Sequence, residues 1–122
     1  MSSIDLIKEV LSGLKKVGGI TASAAVTRDG LLITSDIPEG STDAETFAAM
    51  TATMVGAAET ASIEVKAGEF SRVIVESSAG KLISLGAGSR ALLVVLTAQK
   101  ASLGLVLIKL KDAARKIDKI IG

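Results

Sequence analysis

The sequence predicts a small mixed α/β domain, and three observations carry that prediction. They are the order of its periodic segments, one long helical stretch set between strand-rich ones, and glycine-bearing turns at the joins. In order the segments read as a short amphipathic helix, a two-strand hairpin, a long helix, three further strands and a closing helix. A chain of 122 residues, 48% of them apolar, fits one domain over residues 1–122 and can cover both faces of a small sheet.

Ser2, with Asp5 three positions later, makes a capping-box-like start with Asp in the usual place of Glu. Ile4, Ile7, Leu11, Leu14 and Val17 then recur at helical spacing until Gly18-Gly19. From Ile20 to Thr27 the residues are small and β-tolerant. Arg28-Asp29-Gly30 precedes Leu31-Leu32-Ile33-Thr34, so Asp29-Gly30 reads as a hairpin turn that needs positive φ.

After the loop Ile37-Pro38-Glu39-Gly40-Ser41, Thr42 and Glu45 form a capping box for the second helix. Phe47, Met50, Met54, Ala57, Ala58, Ala61 and Val65 are its expected inner stripe, and Gly68 ends it, giving a helix of roughly 24 residues, or about 36 Å. Ala48, Ala49, Ala52, Gly56 and Ala57 leave room for another backbone to approach. An interior glycine costs about 1 kcal/mol relative to alanine, which suggests packing against something at Gly56.

Phe70–Ser77, Lys81–Leu85 and Ala91–Thr97 read as strands separated by Ser78-Ala79-Gly80 and Gly86-Ala87-Gly88-Ser89. The last of them is apolar on both parities, as in a central strand covered on both faces; the first carries Arg72 and Glu76 and reads as an edge. The closing helix has Leu103, Val106, Leu107, Leu110, Ala114, Ile117 and Ile121 on one stripe, with Lys109, Lys111, Arg115, Lys116 and Lys119 largely off it. The mean hydropathy of +0.52 raises a membrane alternative for Ala91–Ile108. Gln99 and Lys100 interrupt that stretch at its centre, a lysine there costs about 2.5–3.5 kcal/mol on insertion, and the stretch reads as strand then helix.

Composition narrows the chemistry. With no His, Cys, Trp or Tyr, the chain lacks most side chains that serve acid–base, nucleophilic or soft-metal chemistry near neutral pH. The absence of Cys suits a reducing compartment, Met1–Asp5 shows no secretory signal, and a cytoplasmic location is expected. Asp36, Glu39, Asp43 and Glu45 lack the alternating ligands of a calcium loop. Gly86-Ala87-Gly88-Ser89-Arg90 precedes a strand where a phosphate loop needs a helix N-terminus, so it reads as a turn. The only aromatics, Phe47 and Phe70, fall on core stripes, which leaves no stacking platform for a nucleic acid. No Ser-x-x-Lys or Gly-x-Ser-x-Gly signature is present. A binding module with no catalytic residue, cofactor or metal is expected.

Asp29-Gly30-Leu31-Leu32-Ile33 in the hairpin and Ala101-Ser102-Leu103-Gly104-Leu105-Val106 at the start of the last helix, correctly separated, resemble the Roadblock/LC7 family along nearly the whole chain. The resemblance implies a profilin-like five-stranded antiparallel sheet in the order 2-1-5-4-3, with helix two on one face and helices one and three on the other. It also implies a homodimer joined at strand three, and a function as a regulator or scaffold of a Ras-like small GTPase. The alternative it leaves open is a structural adaptor for a non-GTPase protein. The expected dimer contacts are Ser71, Arg72, Val73, Ile74, Val75 and Glu76 on the edge strand, and Ala49, Ala52, Thr53 and Gly56 on helix two. Centring the axis near Ile74 sets Arg72 opposite Glu76 of the other copy.

The net charge of +1 conceals segregation: Asp29 to Val65 holds seven acidic residues and no Lys or Arg, whereas Lys100 onward holds six basic residues and two acidic ones. Two readings stand beside each other. One is ordinary solvated helix faces with dipole-matched termini; the other is an acidic helix-two face that receives the partner through Glu45, Glu59 and Glu64, opposite a basic helix-three face.

Overall fold

The computed structural model describes residues 1–122, in the order α1 (Ser3–Leu14), β1 (Ile20–Thr27), β2 (Leu32–Asp36), α2 (Ala44–Glu64), β3 (Arg72–Ser77), β4 (Gly80–Ala87), β5 (Ala91–Ala98) and α3 (Leu103–Ile121). Both halves of the Ser2–Asp5 capping box form, at 3.1 and 3.3 Å. Of the α1 stripe, Ile7, Leu11 and Leu14 are buried, while Ile4 is half exposed and Val17 lies beyond the helix.

The β1–β2 turn differs from a two-residue turn. Only Gly30 has positive φ, +98°, and Gly30 N–H donates to Thr27 O while Thr27 N–H donates to Leu31 O. This is a three-residue loop closed by a left-handed glycine, with the Thr27 hydroxyl donating to Asp29 and accepting from Leu31 N–H, and the ladder shifts register between Ala25 and Val26. Helix α2 is capped one residue later than expected: the Asp43 carboxylate, and not Thr42, accepts from Thr46 N–H at 3.1 Å and also from the Thr46 hydroxyl. These bonds, the side-chain one first, hold the Asp43 carboxyl below the usual carboxylate range.

The strands form one antiparallel sheet in the order β2-β1-β5-β4-β3. Central β5 is buried on both faces along Ala91–Val95, as its doubly apolar sequence requires. β4 is longer than expected and takes in Gly86 and Ala87, leaving Gly88-Ser89-Arg90 as the turn; β3 begins at Arg72, after Phe70 and Ser71. Alternation splits the core in two. Sixteen buried residues lie between the sheet and α1 and α3, among them Leu11, Leu93, Leu110 and Ile117. Seven lie under α2, including Phe47, Ala48, Val55, Leu92 and Val94.

The inner face of α2 is Phe47, Ala48, Thr51 and Val55, not the stripe through Met50, Ala57, Ala61 and Val65, which are exposed. With Ala, Thr and Met on every side, this helix has no strong apolar period to choose its orientation. No helix is long and apolar enough to cross a membrane, and β5 followed by α3 replaces the candidate apolar stretch.

Candidate protein-binding surface

Two features of the α2 side are unpartnered: the outer face of α2 and the adjacent edge strand β3. Ala49, Met50, Thr53, Gly56, Ala57 and Ile63 all face outward on α2, with Met50 63% and Ile63 72% exposed. A groove of about 460 Å³ runs between α2 and β4, lined by Phe47, Met50, Thr51, Thr53, Met54 and Leu82, almost wholly apolar. The Thr51 hydroxyl is buried at this side with no hydrogen-bond partner. The other hydroxyl of the lining, that of Thr53, donates to the Ala49 carbonyl at 2.9 Å.

The two sheet edges differ. On β2, Lys8 Nζ donates to the Ser35 carbonyl at 3.2 Å and Lys15 pairs with Asp36 at 3.2 Å, so lysines from α1 close that edge to another strand. No such cover protects β3, where Ile74 and Val75 are more than one-third exposed. The register Arg72↔Leu85 and Ile74↔Ile83 puts Arg72, Ile74 and Glu76 on the α1/α3 side of β3; Val73 packs into the α2-side core. Ser71 lies just before the strand and is exposed. The structure therefore divides the expected strand residues between the two faces: Val73 and Val75 lie on the side of Ala49, Ala52, Thr53 and Gly56, and Arg72, Ile74 and Glu76 on the other. Of the four on α2, Ala52 alone is partly buried, and a Cβ on Gly56 would meet nothing within 4 Å.

The acidic run is dispersed. Asp36 is neutralised by Lys15, Asp43 caps α2, Asp29 sits in the β1–β2 turn, and Glu59 pairs with Arg28 at 3.3 Å. Glu45 in the first turn of α2 and Glu64 in its last residue stay exposed at opposite ends of an apolar stripe. Arg28 also donates to the Gly88 carbonyl at 3.0 Å, and a Cβ on Gly86 would stand 2.7 Å from its guanidinium. It thereby ties α2 to both turns at one end of the sheet. Sequence reasoning missed this arginine because its partners are 31 and 60 residues away. It also missed Met50 as a surface residue; the signal was a helix with apolar residues beyond any single face. No cluster of three acidic side chains in the molecule is arranged to hold a metal ion.

A five-stranded antiparallel sheet in the order β2-β1-β5-β4-β3, with α2 on one face and α1 and α3 on the other, defines a profilin-like fold. Profilin IB of Acanthamoeba castellanii has this fold, with a TM-score of 0.65 at 16% identity over 97% of this chain and 98% of that one. The model of the Roadblock/LC7 domain matches residues 6–97, and the chain belongs to that family. The uncharacterized protein MJ1340 of Methanocaldococcus jannaschii is 43% identical over 112 residues, covering 92% of this chain and 96% of the relative. Among solved structures, Myxococcus xanthus MglB matches with a TM-score of 0.88 and 29% identity over 96% of this chain and 88% of that one. A Roadblock/LC7 domain from Streptomyces avermitilis matches with a TM-score of 0.84 and 22% identity over 91% and 93%.

Proposed function

We propose that this protein is a homodimeric, non-enzymatic regulator or scaffold of a Ras-like small GTPase, acting in the cytoplasm as one Roadblock/LC7 domain. The observation that carries the reading is the open β3 edge lying beside an outward apolar face of α2 on a Roadblock/LC7 fold. A β3–β3 pair around Ile74 would extend the sheet across a two-fold axis and bring two α2 helices together through Ala49, Thr53 and Gly56. Arg72 would face Glu76 of the second copy twice over, each pair contributing about 0.2–1 kcal/mol.

The GTPase meets the α2 side in this reading, with Glu45 and Glu64 as free acids and Glu59 already half neutralised by Arg28. Long-range charge governs encounter, so neutralising Glu64 is expected to slow association and flatten its salt dependence more than neutralising Glu59. The deciding experiment is GTP hydrolysis and nucleotide exchange by a Ras-like small GTPase from the same organism, with and without the purified protein. Changed turnover supports regulation. Unchanged turnover, together with tight binding of a non-GTPase protein, supports the adaptor reading, which rests on the same surface.

A further inference from the structure

The α1/α3 side of β3 is an open shelf. Helix α3 lies over β4 and β5, and α1 over β1 and β2, so neither helix packs closely on β3 there. The floor of the shelf is Arg72, Ile74 and Glu76, with Ile74 37% exposed. Its wall is the flank of α3 that carries the half-buried Leu107, then Lys111 and Ala114, with Arg115 at the outer lip; Ile108, on the opposite side of α3 from its buried stripe, points away from the sheet. A cavity of about 500 Å³ opens between this wall and β4, lined by Leu85, Lys111, Ala114, Arg115 and Asp118. Asp118 is the one acid of the wall and sits against Gly88. Lys111, Arg115 and Arg72 have no ion-pair partner within the chain, whereas Lys116, on the far side of α3, is paired with Asp112.

Joining two copies at β3 turns the two shelves into one trough. From the midline of β4 and β5 in one copy to the same line in the other is four strand spacings, about 19 Å at ~4.8 Å each. Two α3 helices about 19 Å apart leave room for one more helix between them, since packed helices sit 8–10 Å axis to axis. The floor offers two Ile74 side chains and the walls two half-buried Leu107 side chains. Two Lys111 and two Arg115 rim it, and across the axis each Arg72 is matched by a Glu76.

We infer that this trough binds a single amphipathic helix of a partner protein, with an apolar ridge flanked by Glu and Asp, on the opposite side of the sheet from α2. The inference rests on the β3-paired dimer proposed above. Charge selects the occupant: four unpaired cations on the walls and apolar residues on floor and walls suit an acidic helix with a Leu or Ile ridge. The width of one helix sets the stoichiometry at one helix per dimer.

The test uses the full chain and two labelled synthetic helices, one with a Leu ridge flanked by Glu and one in which Lys replaces every Glu. Light scattering first establishes the oligomeric state; a monomer overturns both the dimer and the trough. On a dimer, fluorescence anisotropy is expected to show the acidic helix binding at one per dimer and at least ten-fold more tightly than the basic one. Lys111→Glu with Arg115→Glu should invert that preference while the protein stays dimeric and folded by circular dichroism. Equal binding of the two helices, no binding, or binding unmoved by the double substitution overturns the trough and leaves the dimer standing. So does binding of anionic phosphatidylserine vesicles, and not of the peptide, through the same two residues.

Discussion

The two sides of the sheet are built differently. On the α1/α3 side, two strongly amphipathic helices close sixteen buried residues, and their outer surfaces are mostly charged, with Ile4, Leu105 and Ile108 as apolar exceptions. On the α2 side, one helix of nearly uniform polarity covers seven buried residues and presents Met50, Gly56, Ala57 and Ile63 outward. A helix whose inner face needs only Phe47, Ala48, Thr51 and Val55 has no internal reason to be apolar on its other faces. The thick side is built for its own stability; on the function proposed above, the thin side is half of a larger core.

The largest effect separates the two layers. Leu110→Ala, in the thick layer, should destabilise by about 2–5 kcal/mol, whereas Val55→Ala under α2 should cost about 1.5–2 kcal/mol, the worth of two buried methyl groups. Thermal unfolding followed by far-ultraviolet circular dichroism measures both; equal costs would erase the distinction. Gly56→Leu comes next. Its Cβ meets nothing within the chain, so helix propensity should stabilise the monomer by roughly 0.8 kcal/mol, while crowding at a dimer contact should weaken association by about 1–3 kcal/mol. Sedimentation equilibrium at several concentrations separates those terms, and undiminished assembly removes Gly56 from the interface.

Thr51→Val should stabilise by about 1 kcal/mol, because it replaces a buried hydroxyl that has no partner with a methyl of the same shape. A loss on urea titration of the intact protein would mean that the hydroxyl is bonded in solution. The smallest effect concerns acid. Folding lowers the Asp43 carboxyl, so the unfolded chain binds the proton more readily; this contribution is present above the ordinary aspartate value and is lost as pH falls through the lower, folded one. Asp43→Asn keeps a capping oxygen and should flatten the stability curve below about pH 4. Parallel acid titrations of both proteins that superimpose would contradict the assignment.

The thick side was the legible one. Leu103, Val106, Leu110 and Ile117 repeat at a clear helical period, and the doubly apolar Leu92–Leu96 run, set off by Gln99 and Lys100, read as a central strand. On the thin side the same reasoning found α2 but misjudged its inner face, since Ala, Thr and Met on all sides give no period to follow. The cap moved from Thr42 to Asp43 because adjacent residues were both competent and the carboxylate reaches Thr46 N–H. Edge strand β3 was readable from Arg72 and Glu76, which a covered strand would not tolerate. The neutralisation of Glu59 was not readable, because it depends on a turn that tertiary folding alone brings beneath α2.

Arg28 crosses the end of the sheet over a glycine, so the two residues share one volume. A descendant that shortens residue 28 gains space at residue 86, and a descendant that adds a side chain at 86 must push the guanidinium aside and with it the bond to the Gly88 carbonyl. The pair should therefore be inherited as a unit: across related sequences, glycine at 86 and arginine at 28 are expected to appear and disappear together, with the acid at 59 following them.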